Sequence, residues 1–177
     1  MERINIANES DLSLVVPRKG ELLVSSMVLC NTSDVFRAML GKKWAEGQAL
    51  RNSQALAKID LPADDFKTMR VMMCALHQRN DMLQDLMTPA EVELVAETAD
   101  KYNCSMALQH TATRWVNDLV DDDIQQAPLS TLAAAYQFNL TKFFAGITDL
   151  LVKKHTFELR EDENTADSVV RGLYGEQ

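Results

Sequence analysis

Period-two alternation of apolar residues occurs only before Pro62 in this chain, and every helical periodicity longer than two turns comes after it. Leu12, Leu14 and Val16 alternate with Ser13 and Val15, and Pro17-Arg18-Lys19-Gly20 supplies a turn. Glu21 to Val24 then returns as a second strand. Further on, Leu56, Lys58 and Asp60 oppose Ala57, Ile59 and Leu61 as a third strand, which Pro62 ends. A chain that spends its strands first and its helices last is α+β, not a run of βαβ units. The expected architecture is therefore a small three-stranded sheet packed against a helical cluster, followed by C-terminal helices.

One short helix interrupts the strands. Val35, Phe36, Met39 and Leu40 lie on one helical face, with Ser33 as N-cap and Gly41 just past the end. Two turns are not stable alone in water, so this helix must be held between the sheet and the later helices. Gly47, Asn52 and Ser53 mark a loop before the third strand. After Pro62, Asp64 opens a helix with Phe66, Met69, Met72, Met73 and Leu76 on one face. Thr88 and Glu91 form a capping box with Pro89 in the first turn, and Val92, Val95, Ala96, Ala99 and Tyr102 follow as its stripe. Asn103 stops that helix. The next carries Cys104, Leu108, Ala112, Trp115, Val116 and Leu119. The segments 129–140 and 141–155 form a helical hairpin, and the charged last 15 or so residues are expected to fray.

Composition narrows the function. The 177 residues are 46% hydrophobic, enough for one core with an appendage. Eighteen Lys plus Arg against 26 Asp plus Glu gives a net charge of −8, and the basic residues are scattered, which argues against a nucleic-acid surface. No stretch approaches the length of a membrane span and the N-terminus has no apolar signal core. The protein is therefore expected inside the cell, in the cytoplasm, the nucleus or both, without a membrane partner. Cys30, Cys74 and Cys104 are widely spaced and sit in apolar helical patterns, as buried free thiols do. Asn8, Asn31, Asn103 and Asn139 begin N-x-S/T triplets, and two of these look like helix-boundary residues.

No phosphate-binding or nucleophile motif is present, and His77, His110 and His155 have no partner at metal-ligand spacing. Asp121-Asp122-Asp123 lacks the ligand alternation of a calcium loop and reads as the cap of a following helix. Met69, Met72 and Met73 read as core. No enzyme activity, cofactor or metal is expected. A small-molecule binder or unusual enzyme using the methionine-rich or aromatic helical faces is the remaining alternative of that class.

Taken in order, the segments 11–16 and 24–41 resemble the BTB/POZ domain. The family signature runs hydrophobic-His-x-x-Val-Leu-x-x-x-Ser-x-x-Phe-x-x-Met, and Val28, Leu29, Ser33, Phe36 and Met39 match it, with Asp11 at the start of the first strand. The segments EGQAL, LHQRNDML and ADKYNCSMAL are similar to the fungal branch. The resemblance spans residues 9–118 as the domain, and residues 119–177 look like a short BACK-like helical extension. It implies protein–protein association: an adaptor for cullin ubiquitin ligases, or a self-associating scaffold with no ligase role. In adaptors an apolar-x-Glu motif follows the short helix, and Trp44-Ala45-Glu46 stands at that place. The implied cullin contact comprises Trp44, Glu46, Phe36 and Met39. Alternatively Trp44 folds back on Met39 and Leu40 and Glu46 is merely solvated.

The departures carry expectations too. Ser25 replaces the signature histidine and Ser26 the basic residue after it. In transcription-factor members that base and the strand aspartate line a corepressor pocket; here the pocket at Asp11 lacks its base. Only ten residues precede Asp11, little for the N-terminal helix and strand that swap between subunits in many family dimers. Tyr136, Phe138, Phe143 and Phe144 are expected mostly in the core, with the rest widening the contact surface.

Overall fold

The first hairpin follows from its turn. In the computed structural model, which describes residues 1–52, 56–83, 87–123 and 128–153, Lys19 N–H donates to Val16 O at 3.1 Å. Arg18, after Pro17, has φ 65°, the left-handed value a type II turn requires at that place. β2 (Leu12–Val16) and β3 (Gly20–Val24) pair antiparallel, with Leu14 opposite Leu22. β4 (Ala57–Asp60) adds in parallel to β2, setting Ile59 beside Leu14. Its alternation is as expected, with Ala57 and Ile59 buried and Lys58 and Asp60 exposed.

The sheet has four strands, not three. β1 (Glu2–Asn5) pairs in parallel with β3, giving the order β1-β3-β2-β4. The alternation of this edge strand is short, Ile4 and Ile6 against Arg3 and Asn5: Glu2, Arg3 and Asn5 are exposed and Ile4 is half-buried. It is fixed from outside. Ile6 just beyond it is fully buried, Ile6 N–H donates to Leu23 O at 2.9 Å, and the Arg79 guanidinium donates to Ile6 O at 2.7 Å. Gly20 permits the approach, since a Cβ there would lie 2.6 Å from Glu2 O and from the Phe66 ring.

α1 (Ser26–Thr32) and α2 (Asp34–Met39) share Ser33, whose N–H donates to Leu29 O at 3.0 Å and whose Oγ accepts from Phe36 N at 3.0 Å. Where the sequence reads as a loop, α3 (Ala45–Asn52) forms. Gly47 and Asn52 misled: Ala45, Glu46, Gln48, Leu50 and Arg51 are all fair helix formers, and Arg51 clamps the turn by donating to Gly47 O at 2.6 Å. α4 (Phe66–Leu76) is capped by Asp65 rather than Asp64, with Thr68 N donating to Asp65 Oδ1 at 2.9 Å. α5 (Pro89–Lys101) has the expected reciprocal capping box.

α6 (Ser105–Asp123) runs unbroken across positions 118 and 119, so Asp121 to Asp123 end a helix rather than begin one. α7 (Pro128–Gln137) turns back onto α5. α8, residues 141–153, follows after a tight turn; the tail expected to fray lies outside the described residues. The core is one cluster. Met69, Met72 and Met73 of α4 are wholly buried between the sheet and the helices, joined by Val92, Val95 and Ala96 of α5 and Leu108 and Val116 of α6. The methionine-rich face is therefore core and not a binding groove. Among the described residues no helix is long and apolar enough to cross a membrane.

Candidate protein-interaction surface

The short α1–α2 pair is the platform on which the candidate contact residues stand, and its hydrogen bonds come from far along the chain. Ser25 makes no side-chain cap for α1. Instead Ser26 N–H and Oγ–H donate to the two Asp11 carboxylate oxygens at 2.7 and 2.5 Å, and Ser25 N–H donates to His77 Nε2 at 3.0 Å. His77 Nδ1 faces Met73 O at 2.8 Å, which fixes the neutral tautomer with Nε2 as acceptor. Asp11 is thus spent on the N-terminus of α1, where a carboxylate is favoured by the exposed amides. Asp11 itself remains exposed at the start of β2.

α2 is anchored at both sides. Phe36 is fully buried and stacks on Tyr102, ring centroids 4.6 Å apart and nearly parallel. Ser33 Oγ–H donates to Tyr102 O at 2.5 Å, and Tyr102 O–H donates to Asp64 at 2.9 Å. Burial and the Asp64 carboxylate push the Tyr102 phenol well above its usual range. Asn103 donates to Asp34 at 3.0 Å, and Arg37 pairs with Asp34 at 2.6 Å. Phe36 therefore cannot itself touch a partner; its part is to hold the helix that presents one. Met39 is half-buried at the rim.

Beyond Gly41 the backbone turns sharply. Trp44 N–H donates to Gly41 O at 3.2 Å, and Gln48 N–H donates to Trp44 O at 3.0 Å, which starts α3. The close approach needs Gly47: a Cβ there would lie 2.1 Å from Gly41 O and 2.4 Å from Leu40 O. Held by this contact, Trp44 is 58% exposed at the mouth of α3, and Glu46 lies half-buried in the helix's first turn. Trp44 and Glu46 thus stand at the start of α3, with Lys42 and Lys43 exposed in the link from Met39 at the end of α2. An exposed indole on a rigid turn has the character of an interface anchor, and the neighbouring carboxylate can accept a charge-assisted hydrogen bond.

The contacts that hold the turn come from Gly47 and Arg51, and in the sequence Gly47 reads as a loop-former. The one available signal was the Ala45–Arg51 run of helix formers around that glycine. Elsewhere, a cleft of about 360 Å³ between α6 and the start of α8 is lined by Gln109, His110, Thr113, Asn139, Lys142 and Phe143, among others. Among the described residues no carboxylate or thiol lines it. Among the described residues no group of three His, Cys, Asp or Glu side chains is placed to hold a metal ion.

The family model described as BTB/POZ domain matches residues 5–118. No curated protein matches the chain.

Proposed function

Because the chain belongs to the BTB/POZ domain family, whose members are protein–protein interaction modules, we propose that it is an adaptor that docks a partner protein on the α2–α3 turn, with a cullin N-terminal domain as that partner. Trp44 is the anchor, Glu46 the polar contact, and Met39 the apolar rim, while Phe36 supports them from the core. What carries this reading is a tryptophan left 58% exposed on a turn that Gly47 and Arg51 hold fixed. A side chain of that size is otherwise drawn into the core. The adaptor would act in the cytoplasm or nucleus, with the helices after residue 118 as a BACK-like extension.

Calorimetric titration of the chain against a cullin N-terminal domain tests it. Trp44→Ala and Glu46→Ala are each expected to weaken binding by at least about 1–2 kcal/mol while leaving the melting temperature unchanged. Wild-type affinity in both variants removes these residues as the anchor, and no heat from the wild-type chain removes the cullin.

A further inference from the structure

α6 and α8 each match a cation to an acid of their own. Arg114 pairs with Asp118 at 3.8 Å and Lys153 with Asp149 at 2.5 Å, both one helical turn apart. Two side chains nearer the starts of these helices have no such partner. His110 of α6 and Lys142 of α8 are both exposed. Among the described residues no carboxylate pairs with Lys142 and no hydrogen bond engages the His110 ring. Both line the cleft of about 360 Å³ between α6 and the start of α8, which is within the size range of small-ligand sites.

The walls of the cleft are fixed. Leu108 and Ala112 of α6, Leu140 at the turn and Ile147 of α8 are buried in the core. Leu140 N–H closes the turn on Ala135 O at 2.8 Å, and Gln109 Nε2 donates to Asn139 O at 3.2 Å, tying α6 to that turn. Thr113 Oγ–H is taken up by Gln109 O at 2.7 Å. The side chains left to face a ligand are Lys142, His110, Thr141 and Asn139. That set is rich in donors: three ammonium protons, an imidazole N–H in either charge state, a hydroxyl and a carboxamide. Among the described residues no carboxylate lines the cleft, although Asp plus Glu outnumber Lys plus Arg by 26 to 18 in the chain. Phe143, half-buried, supplies one apolar wall.

We infer that this cleft binds a phosphate monoester, with Lys142 as its counter-ion and His110, Thr141 and Asn139 donating to the phosphate oxygens. Such a group carries close to two negative charges and three strong acceptor oxygens, so it draws donors from several directions. Here they come from α6, from the α7–α8 turn and from α8. A planar carboxylate is matched best by the forked guanidinium of arginine, whereas a lysine ammonium meets phosphate as a point charge. Phe143 faces the organic part of the ester. The phosphate group is the same whether a phosphorylated side chain of another protein or a small metabolite carries it. The inference does not rest on the adaptor reading, since the described lining of the cleft includes no residue of the α2–α3 turn.

NMR titration of the isotopically labelled full chain at constant ionic strength tests it, with N-acetylphosphoserine amide, glycerol phosphate, acetate and chloride as probes. Both phosphate esters are expected to shift the amides of residues 109–113 and 139–143 saturably, with dissociation constants of about 1 mM or tighter. Lys142→Met keeps the apolar stem and removes the charge. That variant and His110→Ala should each weaken ester binding at least about fivefold, with unchanged melting temperature because both side chains are exposed. Lys153→Met, at an exposed lysine of the same helix, should bind as the wild type does. The tighter of the two esters identifies the carrier, a protein side chain or a small metabolite. Shifts that do not saturate, or that chloride reproduces, overturn the inference. Acetate binding as tightly as the esters overturns it too, and so does full affinity in Lys142→Met.

Discussion

His77 links the second half of the domain to the start of α1 through one lone pair. Its Nε2 accepts from Ser25 N–H, so protonation there removes the acceptor and sets a cation against a donor. Burial is the main cause that holds its pKa below the usual 6.5, partly offset by the Met73 carbonyl. A histidine with a depressed folded-state pKa contributes stability that is fully present above the unfolded value and is lost as pH falls through the folded one. Chemical denaturation at a series of pH values should therefore show stability declining below about 6.5. His77→Gln should flatten that decline. An equal decline in the variant would place its origin elsewhere. The three cysteines are free. Burial pushes the Cys104 thiol up to about 12, and the same cause raises Cys30 and Cys74, so none is an activated nucleophile.

At the scale of the element, three helices end by the same device. Gln78, Asn103 and Asn139 have φ of 58°, 47° and 56°. After each, the next amide reaches back to the last turn: Arg79 to Cys74 O at 2.8 Å, Cys104 to Ala99 O at 2.9 Å, and Leu140 to Ala135 O at 2.8 Å. This is the Schellman closure, which favours glycine. Two of the three positions hold asparagine, the side chain that tolerates left-handed backbone best after glycine. Gln78 has no such allowance. Gln78→Gly should therefore raise unfolding stability by about 1 kcal/mol, and Asn139→Gly by less; denaturant midpoints measured side by side check the order. Helix starts are equally well supplied. Lys67 and the Thr88 amide hold the Glu91 carboxyl at about 2, so the α5 capping box persists well into acid.

For the whole molecule, the last helices belong to the main core. α7 lies on α5, Phe138 is fully buried, and its ring sits 6.3 Å from that of Trp115. Ala134 and Ala135 are also buried, and small residues there let α7 approach closely. Phe138→Ala should cost about 3–5 kcal/mol. It should lower one cooperative transition followed by both circular dichroism and tryptophan fluorescence. Two separated transitions would show that α7 and α8 melt independently of the rest.

Local chemistry determined a good share of this protein. The β2–β3 hairpin, the β4 alternation, the Ser33 cap, the Thr88–Glu91 box and the Asn103 stop were legible because each depends on residues within four or five positions. Tertiary structure decided the rest. β1 exists because Ile6, Gly20 and Arg79 seat it, and α3 exists because Gly47 lets its first turn meet the end of α2. α1 starts where Asp11 and His77 supply its missing cap, from 15 and 52 residues away. The burial of Phe36 against Tyr102 and the exposure of Trp44 were settled in the same way. An apolar side chain's spacing says which face it shares; only packing against distant elements decides whether that face is covered.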